Sequence, residues 1–146
     1  MLRIITAVDR SQIHGLGLFA CNFVPKGMIT WKRDLKFDIS FDMNEFLSCF
    51  DKPFRAFKQT DEELRHSYYD LSEKRWVRCG DDIRFINHSE APNITSSPSL
   101  DVAAVDIYPG EELLCNYECF EPGWFERRGL DKNFQPASRN KIYITA

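Results

Sequence analysis

The sequence predicts a small α+β domain that is mostly β, and three observations carry that expectation. Short apolar runs recur along the chain, separated by turns such as Pro25-Lys26-Gly27 and Tyr108-Pro109-Gly110. Only the middle of the chain carries helix formers instead. With 146 residues, 43% hydrophobic and 12 Phe, the chain has one domain's length and enough apolar mass for an ordinary core.

Taken in order, Leu2 to Val8 reads as a first strand. His14-Gly15-Leu16-Gly17-Leu18-Phe19-Ala20 is a double-glycine turn feeding a second apolar run, and Met28 to Trp31 makes a third strand. From Leu35 to Phe41 apolar and polar residues alternate, the mark of a half-buried strand. Asn44 to Phe50 and Asp61 to Tyr69 favour helix, and Thr60-Asp61-Glu62-Glu63 has the form of a capped start. A helical insert over about 42–72 follows from this. Strands return around Arg75-Trp76-Val77, from Leu100 to Ile107, and from Glu112 to a terminal Tyr117. No repeat or linker divides the chain, so residues 1–146 are expected to form one domain. Its core should span about 3–125, with a C-terminal flap or tail over about 120–146.

Charge excludes more. The net charge of −3 argues against a dedicated nucleic-acid binder. It is unevenly spread: the residues from Glu126 onward carry +3 and the rest −6. The tail is either a solvated end or a basic flap over an acidic body. No run approaches the roughly 20 apolar residues of a membrane span. Met1-Leu2-Arg3-Ile4-Ile5-Thr6 lacks a signal peptide's apolar stretch, so a cytoplasmic location is expected. Cys21, Cys49, Cys79, Cys115 and Cys119 are then reduced and mostly buried thiols, and their spacing fits no common zinc site.

Three motifs stand out. Gly15-Leu16-Gly17 either answers a backbone requirement or brings bare backbone close to a ligand. Arg84-Phe85-Ile86-Asn87-His88-Ser89 with Pro92-Asn93 sets polar side chains beside Phe and Ile, where burial demands a partner for each. An Asx-rich turn would satisfy the same residues locally. Gly110-Glu111-Glu112-Leu113 precedes Tyr117, which is either a core tyrosine or a working one. Cys115 or Cys119 with His88 would be a nucleophile pair, but nothing in the spacing brings them together.

Together and in this order, the motifs resemble those of the SET-domain protein-lysine methyltransferases. The likeness is to the compact bacterial branch, without cysteine-rich segments before or after the domain. The resemblance implies several small sheets with a knot-like C-terminal threading. It implies S-adenosylmethionine as methyl donor and a lysine-containing protein or peptide, histone-like or ribosomal, as partner. Neither nucleic acid nor a membrane is implied. Tyr117 becomes the catalytic residue. The cofactor would lie against His14, Gly15, Leu16 and Gly17, and against Arg84, Phe85, Asn87 and His88. Trp124 and Phe125 would cover it. The lysine would enter from the opposite face through a channel lined by Cys115, Tyr68, Tyr69 and Phe120. A SET module that binds a peptide without catalysis is the alternative. The chemistry suits an apolar channel, because a lysine neutral at pH 7 costs roughly 4–5 kcal/mol in water. Burial and the donor's positive charge both lower that cost.

Overall fold

The computed structural model describes residues 1–48 and 65–135, whose strands form three small sheets. β1 (Thr6–Arg10) and β2 (Leu16–Ala20) make an antiparallel hairpin around the double-glycine turn. The largest sheet runs in the order β3 (Ile29–Lys32), β9 (Leu100–Ala103), β8 (Ile94–Ser96), β10 (Leu114–Cys115) and β7 (Asn87–His88). The third runs β4 (Ile39–Phe41), β6 (Arg75–Arg78), β5 (Ser67–Asp70). Helices are short: α1 (Met43–Ser48), a 3-10 turn at Asp82–Phe85, α2 (Tyr117–Phe120) and α3 (Trp124–Arg127). The expected mostly-β α+β class is what the structure has.

β10 is the element that gathers the site. It lies between β8 and β7 and runs parallel to both. Parallel neighbours need a long crossover, and residues 89–113 supply it. Asn93 completes the join with its side chain: Nδ2 donates to the Glu112 carbonyl at 2.8 Å, and Oδ1 accepts from Leu114 N at 2.8 Å. Leu18, Ile94, Ile107, Leu113 and Cys115 pack behind this join with 0–1% exposure, forming the centre of the core.

Several elements differ from expectation, each for a local reason. The first strand begins at Thr6, because Leu2 N donates to Asp81 Oδ2 and Leu2 bridges Trp31 instead. Strand β4 starts only at Ile39, because the Asp38 carboxylate accepts from Asp34 N and Gly80 N and closes a turn. The helix expected through Tyr69 gives way to β5, where two aromatic residues pair across to β6. The Thr60 cap and residues 49–64 of the expected insert lie outside the described residues. Tyr117 does not end a strand: Asn116 caps a helix with its side chain, and Tyr117 is that helix's first residue. The core runs past residue 125 to include Leu130, with Phe134 packed against it. Of the four cysteines described, Cys79 and Cys115 are buried, whereas Cys21 and Cys119 are exposed. Among the described residues no helix is long and apolar enough to cross a membrane.

Candidate active site at Tyr117

Tyr117 is fixed at both ends. Its backbone N–H donates to His88 Nδ1 at 3.2 Å, and its hydroxyl donates to the Ile86 carbonyl at 2.6 Å. Burial pushes the phenol well above its ordinary pKa, so it stays protonated. A His88 that accepts at Nδ1 carries its proton on Nε2, which faces Glu90 Oε1 at 3.3 Å. Glu90 also accepts from Lys132 Nζ at 2.5 Å, and the Lys132 and His88 bonds hold its carboxyl below the usual range.

Two cavities meet at this tyrosine. A cleft of about 190 Å³ is walled by the loop His14-Gly15-Leu16, the Arg84 to Asn87 segment, Trp124 and Phe134. A smaller channel of about 60 Å³ is lined by Tyr68, Cys115, Phe120 and Asp101 among others. Arg65, His66, Arg84, Ile86, Tyr117 and Trp124 belong to both.

The cleft is held open by a polar latch. Asn87 Nδ2 lies 3.1 Å from the His14 carbonyl, 3.0 Å from that of Leu16 and 2.8 Å from Glu112 Oε1. Glu112 Oε2 in turn accepts from Ser11 Oγ at 2.9 Å. Gly17 leaves room for this carboxylate, since a Cβ there would meet Glu112 Oε1 at 2.2 Å. Gly15 has a different reason, a left-handed φ of +50° with open space where a side chain would begin. His14 stacks on Phe134 with ring centroids 4.7 Å apart.

The channel is mostly apolar. Phe120 packs edge-on against Tyr68 at 5.6 Å and lies 5.7 Å from the Tyr117 ring. The Tyr68 hydroxyl donates to the Pro98 carbonyl at 2.7 Å. Burial pushes the Cys115 thiol well above its usual pKa, so it is a thiol and no thiolate nucleophile. Among its polar residues, which include Arg65, His66 and Arg84, Asp101 is a carboxylate 4% exposed whose pKa burial raises to about 7.

Trp124 is locked from behind. Arg128 stacks its guanidinium 4.0 Å from a Trp124 ring centroid and donates to Glu121 at 2.8 and 3.0 Å. Glu121, fully buried, also accepts from Arg127 at 2.6 Å and from Tyr69 N at 2.9 Å. Arg128 Nη2 donates to the Ser67 carbonyl at 2.8 Å, so this clamp ties the C-terminal segment to β5.

The family model of the SET domain matches residues 15–118, more than half of the chain. The chain belongs to the SET-domain family. Members of that family are generally protein-lysine methyltransferases. Among solved structures, this SET domain is similar to the Chaetomium thermophilum polycomb repressive complex 2 in an autoinhibited conformation bound to S-adenosylmethionine. The identity is 22% and the TM-score 0.59, over 80% of this chain and 16% of that one. A second structure of that complex matches at 23% identity and a TM-score of 0.56, over 78% and 15%. An active polycomb repressive complex 2 in the stimulated state matches at 22% and 0.56, over 78% and 15%. This SET domain therefore spans about a sixth of the chains it resembles. No curated protein matches it.

Within the SET domain, His14, Gly15, Leu16, Arg84, Phe85, Asn87 and Trp124 come together around the cleft as expected residues of one site. Gly17, His88 and Phe125 are not among the residues that line the cleft. Gly17 faces Glu112, His88 supports Tyr117 from behind, and Phe125 packs against His88 and Phe134 at 4.8 and 5.4 Å. Cys115, Tyr68 and Phe120 share the channel with Tyr117, but Tyr69 does not. Successive strand residues point to opposite faces, and the Tyr69 ring lies beneath Arg127 and against Trp76. Phe134, His66, Glu121 and Arg128 escaped the sequence reading. The pairing of Glu121 with Arg127-Arg128 left a faint charge signal, whereas Phe134 lies beyond the matched segment and in no motif. Among the described residues no three metal-ligating side chains gather.

Proposed function

We propose that this SET domain is an S-adenosylmethionine-dependent protein-lysine N-methyltransferase that acts in the cytoplasm on a lysine of a protein or peptide. The observation that carries the reading is the meeting of two unlike cavities at Tyr117, one polar and aromatic, one narrow and mostly apolar. The similar complex that binds S-adenosylmethionine supports the choice of donor. The cleft suits such a cofactor: Gly15 presents bare backbone to open space, aromatic faces of Phe85, Trp124 and Phe134 suit a cationic sulfonium and a purine, and Arg84 suits a carboxylate. When bound, the cofactor supplies an activated methyl group.

The protein's own work is positioning and desolvation. In-line transfer gains most from holding donor and acceptor in reach. Tyr117 cannot serve as a base, because its phenol is protonated and donates to Ile86. Its remaining lone pairs are free to orient a polarised methyl group or an amine. His88 and Asn116 set the angle at which the ring enters the junction. Tyr68, Phe120 and Cys115 exclude water from the alkyl chain of the substrate. The acidic balance of the first 125 residues suits a basic target, histone-like or ribosomal.

Methyl-labelled cofactor and a library of lysine peptides test this. Label should enter lysine ε-amines, and S-adenosylhomocysteine should raise the melting temperature. A thermal shift with no transfer to any lysine would replace the enzyme by a peptide-binding module. No shift at millimolar ligand would remove the cofactor itself.

A further inference from the structure

An alkyl chain needs only a narrow apolar channel, yet this one contains a row of polar groups. β9 lies between β3 and β8, and its Asp101 is the register partner of Trp31 on one side and Ser96 on the other. Cross-strand partners point to the same face, so the three form a line across the sheet. Asp101 and Trp31 line the channel, as does Ser67. Among the described residues, Trp31 Nε1 and the hydroxyls of Ser67 and Ser96 are buried without a hydrogen-bond partner. The Ser96 hydroxyl lies close enough to the Asp101 carboxylate and the Cys115 thiol to lower the pKa of each, though it meets full hydrogen-bond geometry with neither. Buried polar atoms left unpaired are costly; the Trp31 N–H can only donate, whereas the hydroxyl oxygens of Ser67 and Ser96 and the Asp101 carboxylate are acceptors that suit a cationic guest.

We propose that Asp101 captures the ε-ammonium of the incoming lysine in this channel and accepts its proton, a role that rests on the methyl-transfer reading above. One N–H bond of the ammonium breaks and one O–H bond forms on Asp101, turning R–NH3+ and a carboxylate into R–NH2 and a carboxylic acid. The electron pair left on nitrogen is the one that attacks the methyl group. The product leaves as a methylammonium, and the Asp101 proton returns to water once the channel empties. An ion pair alone would hold the amine in its unreactive form. Burial works against that outcome, because it raises the acid's pKa and lowers the amine's, closing the gap from both sides. Arg65, His66, Arg84 and the protonated phenols of Tyr68 and Tyr117 line the same channel, and the Ser96 hydroxyl and Ser97 N–H lower the Asp101 pKa against the larger effect of burial. The Met1 ammonium lowers its pKa and Asp81 raises it, while the buried thiols of Cys79 and Cys115 are neutral.

The test uses the full chain and n-butylamine, an alkylammonium probe that requires no methyl donor. With carbon-13 in the aspartate carboxyls, Asp101 should titrate near pH 7 in the free protein and move when the probe is added. Asp101→Asn should weaken n-butylammonium by about tenfold and leave n-butanol unaffected. In single-turnover methyl transfer, the defect of Asp101→Asn should be largest near neutral pH. It should shrink toward roughly pH 10, where lysine loses its own proton. Asp101→Glu, which keeps the carboxylate, should recover part of the rate if the Asn variant folds poorly. A carboxyl that titrates in the ordinary aspartate range, or unchanged probe affinity in the Asn variant, overturns the role of Asp101 and leaves the transferase standing. Probe capture with no transfer to any lysine peptide overturns the transferase and leaves Asp101 as a cation site.

Discussion

The cleft and the channel share Tyr117 but are built in opposite ways. The cleft loop is held through its backbone: Asn87 reaches the carbonyls of His14 and Leu16, and Glu112 anchors that amide. The channel wall is made of side chains from β3, β5, β9, β10 and α2, locked by packing and by the Glu121–Arg128 pair. A backbone wall tolerates changes in the residues it presents but not in the side chain that ties it. A side-chain wall is the reverse, since each residue sets the shape and polarity of the space.

The clamp gives the hardest test of that contrast. Glu121→Ala leaves the Arg128 guanidinium buried without its carboxylate, and loss of one partner of such a pair costs about 3–5 kcal/mol. The melting temperature should fall and both cavities should fail together, because Trp124 walls both. Retained stability in urea titration would show that the pair is not what fixes Trp124.

Tyr117→Phe removes one hydroxyl where the two cavities meet. Methyl transfer should fall by about 100-fold, with S-adenosylhomocysteine affinity in calorimetry nearly unchanged. A variant that keeps near-normal turnover would take Tyr117 out of the chemistry.

Asp101 separates the two regions by pH. Its folded pKa of about 7 lies above the ordinary aspartate value, so the native state binds the proton more tightly than the unfolded chain. Stability from this group is full at acid pH, is lost as pH rises from about 4 to about 7, and stays lost above that. Asp101→Asn should therefore stabilise the protein by about 2 kcal/mol at alkaline pH and by little at acid pH. Parallel denaturation curves at the two pH values check it, and equal shifts would contradict the buried-charge account.

Asn87→Ala strikes the cleft alone. It removes the donor shared by two backbone carbonyls and the Glu112 carboxylate, a loss of about 1–2 kcal/mol. Cofactor affinity should drop while n-butylammonium binding in the channel holds, and equal damage to both would erase the distinction.

The same contrast explains what could be read from the sequence. The cleft residues stand in contiguous motifs, so Gly15, Arg84, Phe85 and Asn87 were legible in runs of a few residues each. Gly17 and His88 stand in the same motifs but do not line the cleft, because a motif shows that a residue matters and not which side of the wall it faces. The channel comes from single residues far apart, and no local pattern marks Asp101 as different from any strand aspartate until β3 and β8 flank it. Class followed from turns and apolar runs, while Ser67–Asp70 turned from helix to strand through pairing with β6. Phe134 was invisible because its place over His14 depends on a chain path that short-range periodicity does not encode.

Trp124, Ile86 and Tyr117 form a party wall between two rooms, so neither tenant is independent of the other. A ligand that stills this wall from one side leaves less freedom to be lost when the second arrives. Cofactor and peptide should then tighten each other by the same factor, since coupling between two sites is reciprocal at equilibrium. The order of arrival becomes a matter of rates alone. A peptide that binds equally well with and without S-adenosylhomocysteine would mean that the wall is rigid before either ligand comes.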